Sequence, residues 1–240
     1  MNENSLNKMK QMGTGLAFII FPVLFIFAFA VHPDLPHPHL LGPEELIFRA
    51  HGNGLLQFGH VLVTLCTGLL IVVAVHFMRL LKGSPGAWAG FLGGVIASLG
   101  AIILAADKGA LCLTMSAFDT LPESVFTQIM PGLMAMFTKQ GWLVLLWGMV
   151  FLPIGFAVQA VALIKTRSLP RWQSALFLIG VLFVATPDGL EIINLGASIL
   201  MAMAFVSYGM WIIQKARNPI SVTGRRPDVL LADTTAMNRN

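Results

Sequence analysis

Six segments of this chain are apolar over most or all of the length that a helix needs to cross a lipid bilayer. Such a helix takes about 20 residues, because it rises about 1.5 Å per residue through a hydrocarbon core about 30 Å thick. None of the segments alternates between apolar and polar residues, as a half-buried strand does. The sequence therefore predicts an all-α, polytopic transmembrane bundle of about six spans, with the fifth segment short. The segments cover residues 13–31, 54–81, 88–106, 142–164, 172–186 and 189–213.

The low content of charged residues supports the same fold class. Only 11% of the 240 residues are charged and 56% are hydrophobic, whereas a soluble domain is about 25% charged. This composition excludes an ordinary soluble enzyme, a disordered protein and a conventional nucleic-acid binder. The net charge of +4 does not indicate nucleic-acid binding, because cytoplasmic loops of membrane proteins gain Lys and Arg for topological reasons.

The distribution of basic residues predicts the orientation of the bundle. With both termini in the cytoplasm, Arg49, Lys108 and Lys139 are the only members of the 15 Lys and Arg that fall outside, as the positive-inside rule requires. The compact chain lacks an obvious eukaryotic sorting signal, so we expect a bacterial inner membrane. The predicted parts are a cytoplasmic N-terminus (1–12), a six-helix domain (13–214) with outer loops at 32–53 and 119–140, and a basic, disordered cytoplasmic tail (215–240).

Two segments leave alternatives open. Lys8 and Lys10 precede the first apolar run, and Ala28-Phe29-Ala30 resembles a signal-peptidase site. The run is longer than the roughly 7–15 residues of a signal peptide, so a retained anchor is favoured over a cleaved signal. Residues 125–137 are apolar but short, which predicts an interfacial or re-entrant element rather than a span.

Five polar residues recur along the second segment at spacings of three and four positions. At about 100° per residue they share one helix face, over an arc of about 80°. Such a polar stripe either ties helices together by hydrogen bonds or lines a cavity, and both interpretations stay open. We expect His60 to carry any chemistry. The stripe consists of Asn53, Gln57, His60, Thr64 and Thr67.

Four ionisable residues are predicted at the outer end of the bundle: Asp107, Lys108, Asp188 and Glu191. A charge at the bilayer centre costs at least about 2.5–3.5 kcal/mol, which favours a register with Asp107 and Lys108 near the outer interface. Neighbours on a helix do not face each other, so each of these two needs its own partner. We expect Lys108 to pair with Glu191 or Asp188, and we expect Glu191 to lie on a face that could point at the stripe.

Histidines are concentrated around the first outer loop. Neutral imidazole is the commonest protein ligand of metal ions, and His37-Pro38-His39 could bring two rings together. A zinc or copper site, or haem with His60 as an axial ligand, is therefore a further hypothesis, although no HExxH motif is present. The candidate ligands are His32, His37, His39, His51 and His60.

Three functions fit the sequence, and whether the chain is an enzyme stays open. The first, which the sequence favours, is an accessory or complex-forming membrane protein with a polar His/Asp/Glu pole on its outer face. Its partners would be other membrane subunits or a second copy of itself, besides the lipid bilayer. The second is a small proton-linked transporter that uses His60 and Glu191, and the third is a metal- or haem-binding redox protein. No nucleotide-binding or hydrolase motif narrows this choice.

Overall fold

The computed structural model describes residues 3–33, 35–138, 144–184, 186 and 189–218, with the side chains of 144–149 left out. These residues form eight α-helices and no strand, which confirms the all-α fold over this part of the chain. The predicted start of the fourth span at Trp142 and the tail from 219 onward lie outside the described residues. The helices are α1 Glu3–Ala30, α2 Pro43–Ala50, α3 Gly54–Leu81, α4 Ala87–Phe118, α5 Glu123–Phe137, α6 Val144–Thr166, α7 Arg171–Phe183 and α8 Glu191–Arg217.

Four helices, α1, α3, α4 and α8, are long and apolar enough to cross a membrane. This fits a membrane protein. Helix α7 has 13 residues and is about 20 Å long, shorter than a hydrocarbon core of about 30 Å. The count of six spans, the cytoplasmic termini and the identity of the membrane stay predictions.

Six of the helices close a ring. Helix α1 packs between α8 and α3, α4 packs between α3 and α6, and α7 packs between α6 and α8. These six correspond to the six apolar segments of the sequence. The other two helices, α2 and α5, lie in the predicted outer loops and pack on each other around Ile47, Phe126, Leu133 and Met115 of α4. We call their side of the molecule the α2/α5 end.

An aromatic cluster fills the middle of the ring. Phe18, Phe77, Phe177 and Phe205 are all buried and come from four different helices. The rings of Phe177 and Phe205 are 4.7 Å apart, and those of Phe18 and Phe205 are 5.1 Å apart, in tilted or edge-to-face geometry. Such pairs are worth about 0.5–1.5 kcal/mol beyond their area burial, so this cluster joins α1, α3, α7 and α8.

Glycines let α4 approach α6 closely. A Cβ atom on Gly155 would lie 2.6 Å from the carbonyl oxygen of Gly93, and one on Gly93 would lie 2.7 Å from that of Gly155. Lipid-embedded helices associate through this kind of close backbone packing. The buried Gln159 amide reinforces the contact by donating to the carbonyl oxygens of Ala74 on α3 and Gly90 on α4.

We predict that Gly155→Val destabilises the bundle, because the added methyl groups have no space against α4. Overpacking of this kind costs about 1–3 kcal/mol, which corresponds to a fall in melting temperature of roughly 2–12 °C. The measurement is thermal unfolding of purified protein in detergent. The matched control is Gly68→Val on the exposed side of α3, where a Cβ meets nothing within 4 Å. Equal melting temperatures for the two variants would contradict the packing described.

Candidate functional site

Two small cavities lie side by side at the α2/α5 end. The first, which we call the Arg49 cavity, has a volume of ≈ 70 Å³, and the second, the Asn194 cavity, has a volume of ≈ 90 Å³. Both have room for water, since one molecule needs only about 10–15 Å³ of such space. Four ionisable residues line both cavities: His32, His60, Lys108 and Glu191.

The ring of helices brings these four residues together. His32 follows the end of α1, His60 lies in the second turn of α3, Lys108 is on α4, and Glu191 begins α8. All four positions belong to the same end of the bundle. A larger groove of ≈ 510 Å³ lies between α4 and α6 at the opposite end, but among the described residues Lys165 is the only ionisable one that lines it. The chemistry therefore concentrates at the α2/α5 end.

Glu191 carries a buried carboxylate, with 3% of the residue exposed. Its Oε1 atom accepts a hydrogen bond of 2.7 Å from the N–H of Gly189 and lies 3.3 Å from Nδ1 of His32. Its Oε2 atom is also buried and has no hydrogen-bond partner among the described residues. A buried acceptor without a partner is costly, so this oxygen is suited to water, a proton or a ligand in the adjoining cavities.

The imidazole of His60 lies next to that of His32. The imidazoles of His32 and His60 have centroids 5.4 Å apart, with an angle of 43° between their planes. We call the three side chains His60, His32 and Glu191 the His–His–Glu chain. A neutral imidazole has one nitrogen that donates a hydrogen bond and one that accepts, and a carboxylate accepts. The His–His–Glu chain therefore places a row of hydrogen-bonding groups along the cavities.

Lys108 and Glu191 do not form the ion pair that the sequence predicts. Within the described residues, the side chain that pairs with Glu191 is that of His32, and Asp188 lies outside the described residues. Lys108 still lines both cavities, whereas Asp107 lines neither. Asp107 is 1% exposed, and its carboxylate has no hydrogen-bond partner among the residues described. The structure thus separates these two neighbours, as helix geometry requires.

Gly189 connects the loop after α1 to the start of α8. Its carbonyl oxygen accepts a hydrogen bond of 3.1 Å from the N–H of His39, while its own N–H holds Glu191. Its φ of +96° lies in the left-handed region, and an added Cβ would press against the carbonyl oxygen of His39. Glycine is required here on both grounds.

The polar stripe predicted on α3 has several separate roles. Asn53 is the N-cap, with its side chain accepting from the N–H of Leu56 at 3.0 Å. Thr64 and Thr67 donate to carbonyl oxygens of their own helix, those of His60 and Thr64. Gln57 and His60 are the members of the stripe that line the Arg49 cavity. The hydroxyls therefore neither join α3 to a neighbour nor line these cavities.

A second polar cluster forms around Asp119, which the sequence did not single out. Its carboxylate accepts hydrogen bonds from His51 Nδ1 at 2.6 Å, from the N–H of Gly52 at 3.0 Å, and from the Gln57 amide. His51 also stacks on Phe126 at 3.8 Å, so the cluster joins α2, α3, α4 and α5. The available sequence signal is the position of Asp119 directly after a long apolar segment, where it forms the C-cap of α4.

These contacts perturb the ionisation of Asp119. Partial burial opposes ionisation, but the donors from Gln57, Gly52 and His51 outweigh it and lower the pKa of Asp119 from its ordinary value of 3.8. A carboxylate that accepts several hydrogen bonds is stabilised in its charged form. Asp119 therefore stabilises the structure while it is ionised.

The histidine ligands predicted for a metal are divided among different roles. His39 Nδ1 donates to the carbonyl oxygen of His37, and its Nε2 accepts from Arg49 at 3.4 Å. His51 is bound to Asp119, while His32 and His60 line the cavities. In the part of the chain that the structure describes, no three His, Cys, Asp or Glu residues come together as a group that could hold a metal ion.

Comparisons with protein-family models, with curated protein sequences and with solved structures found no significant match to this chain. The functional interpretation therefore rests on the residues and their geometry.

We predict that Asp119→Asn lowers the melting temperature at pH 7 because it removes an ionised acceptor. A lowered pKa means that the stabilisation is present above the ordinary value of 3.8 and is lost as pH falls through the lowered pKa. The difference between wild type and variant should therefore narrow in unfolding scans below about pH 4. Glu123→Gln is the control, because that carboxylate is 76% exposed and 3.6 Å from His51. A gap between wild type and Asp119→Asn that does not depend on pH would contradict the role of the charge.

Replacing Gly189 by alanine should destabilise the protein more than replacing Gly52. Both residues have positive φ, at +96° and +66°, so both alanines bear a backbone cost of about 1–2 kcal/mol. A Cβ on Gly52 meets nothing within 4 Å, whereas one on Gly189 collides with His39. Melting temperatures of the two variants test this, and equal values would show that the contact between Gly189 and His39 does not constrain the fold.

Proposed function

We propose that this chain is a small proton-linked transporter whose proton-exchanging site is the His–His–Glu chain at the α2/α5 end. The observation that carries the proposal is that His60, His32 and Glu191, from α3, the end of α1 and α8, line the same pair of cavities. Ionisable groups inside a membrane bundle are costly and usually mark an ion or substrate pathway.

The geometry suits proton exchange with a bound solute. The distance of 3.3 Å between His32 and Glu191 is within reach of a proton transfer through small movements or one water molecule. The Oε2 atom of Glu191, which has no hydrogen-bond partner among the described residues, supplies a further acceptor. A solute in either cavity would contact the same groups that gain or lose the proton. This shared contact is what would couple the movement of the solute to the movement of the proton.

Transport would require the bundle to rearrange. The aromatic cluster of Phe18, Phe77, Phe177 and Phe205 fills the ring between the cavities and the opposite end. Transporters solve this problem by alternating access, in which one group of helices moves against another around a fixed site. The cavities then correspond to the conformation that is accessible from the α2/α5 end.

The other two functions have less support. An accessory protein that uses the polar stripe to hold its helices together would need bonds between helices, but Thr64 and Thr67 bond within α3. A complex-forming role remains the second candidate, because Gln57 does join α3 to Asp119. A metal site would need several ligands in one place, and no three His, Cys, Asp or Glu residues form such a group among the described residues. Haem ligation by His60 stays a prediction.

We predict that His60→Ala strongly slows solute-coupled proton movement without unfolding the protein. Purified protein is reconstituted into liposomes that contain the pH-sensitive dye pyranine, and a panel of solutes is added: short carboxylates, a dicarboxylate, an amine, a zwitterionic amino acid and a sugar. Protein-free liposomes give the passive background. The rate of the protein-dependent pH change should fall by roughly a hundredfold in the variant, the low end of what a positioned proton-transfer group contributes.

Thr64→Val is the matched control, because Thr64 lies one turn further along α3 and its hydroxyl bonds only within that helix. Its rate should equal that of wild type. A solute-dependent pH change that survives in His60→Ala would exclude His60 as a proton carrier. A folded wild-type protein that gives no such change with any solute of the panel would overturn the transporter and favour the complex-forming function.

A further inference from the structure

We infer that the solute is a short-chain monocarboxylate that binds with its carboxylate near Arg49 and Lys108 and its alkyl group in the Arg49 cavity. This inference rests on the proposed function and names the substrate class of the same site. It is carried by three properties of the cavity: its charge, its apolar wall and its size.

Two cationic side chains in the lining of the Arg49 cavity can contact an anionic ligand. Among the described residues that line the Arg49 cavity, Lys108 and Arg49 are cationic and Glu191 is the only carboxylate. Arg49 has five N–H donors and Lys108 has three, so each can bind a ligand while keeping other contacts. Arginine in particular matches the two oxygens of a carboxylate. Electrostatic attraction is strong in such a poorly solvated place.

Glu191 limits the ligand to a single carboxylate. A dianion would bring a second negative charge towards a carboxylate that is 3% exposed and already held by Gly189 and His32. Two like charges in a low dielectric repel strongly. Its Oε2 atom, for which the described part of the chain provides no partner, can instead bind the proton that accompanies the anion or accept a hydrogen bond from a hydroxyl group on it.

The remaining wall suits an alkyl group. Leu46, Leu56, Leu111, Cys112, Met115 and Phe137 line the Arg49 cavity beside the charged residues. Ligand pockets of this kind combine an apolar lining with a few polar groups that orient the ligand. The Arg49 cavity thus has both cationic and apolar side chains in its lining, which are the two kinds of group that a fatty-acid-like anion needs.

The volume limits the length of the alkyl chain. An apolar cavity of about 150 Å³ holds benzene, which has six heavy atoms. The Arg49 cavity, at ≈ 70 Å³, has about half that volume, and the adjacent Asn194 cavity has ≈ 90 Å³. A ligand of three to five carbons fits, and a long acyl chain from the bilayer does not.

The inference also explains why a proton would move together with the solute. An anion that moves together with one proton carries no net charge, so the electrostatic cost of crossing the hydrocarbon core is avoided. The His–His–Glu chain lies next to the cations that would hold the anion. Both partners of such an electroneutral pair are therefore accommodated in one place.

Calorimetric titration of the full-length protein in detergent tests the inference apart from transport. We expect propionate to bind one to one, and the neutral propionamide, the dianion succinate and the long-chain octanoate to bind at least tenfold more weakly. Lys108→Gln should weaken propionate binding at least tenfold, and Lys108→Arg should retain most of it. Lys82→Gln, which removes an exposed lysine after α3 at the opposite end, should bind propionate as wild type does.

Three results of the titration would each contradict the inference. Equal binding of propionate and propionamide would exclude recognition of charge, and tighter binding of octanoate would indicate a lipid acyl chain as the occupant. A Lys108→Gln variant that keeps the wild-type melting temperature and full affinity would remove Lys108 from the site. If propionate does not bind while another solute drives a proton movement that depends on His60, the substrate class is wrong and the transporter stands. If no solute drives a proton movement that depends on His60 and propionate does not bind, both the transporter and its substrate class are wrong.

Discussion

The N–H of Gly189 and the imidazole of His32 hold the Glu191 carboxylate inside the bundle, at the point where α8 begins. In a medium of low dielectric, a carboxylate needs such donors, because its hydration is lost and an isolated charge is very costly. The same contact ties the end of α1 to the start of α8, and the hydrogen bond from His39 to Gly189 adds the loop between α1 and α2. The position of the cavities follows from this one arrangement, since their shared walls are the side chains around Glu191.

The bundle is divided into a dry part and a part that accepts water. Phenyl rings fill the ring of helices in the middle, and the glycines of α4 and α6 bring two backbones together beside them. Dispersion and close packing stabilise that part, because lipid supplies no hydrophobic force between helices. At the α2/α5 end, His60, Lys108 and Glu191 line the two cavities. In the proposed function, this end would exchange protons while the packed remainder keeps the helices in place.

Some of the site could be predicted from the sequence, and the remainder could not, for physical reasons. His60 and Glu191 stand out because polar residues are rare and costly in apolar segments. Asn53, Thr64 and Thr67 share the periodicity of His60, but periodicity gives only a face of a helix. Periodicity does not distinguish a helix cap, a hydroxyl bonded to its own helix and a side chain that lines a cavity. Asp119 escaped notice because it stands alone in a loop, and its donors come from residues more than 60 positions away.

The sequence by itself determined that this is an all-helical chain with segments suited to a membrane, because the length of an apolar run and the scarcity of charge are local properties. It also placed four histidines and several acids in or near connections that the topology assigns to one face. Only the tertiary structure decided which of them meet. The closed ring of helices sets His32 against Glu191 and His60, turns Asp107 away from the cavities that Lys108 lines, and leaves His37 and His39 apart from them. Such selection depends on distances between helices, and these arise from the packing of glycines and phenyl rings far away in the sequence.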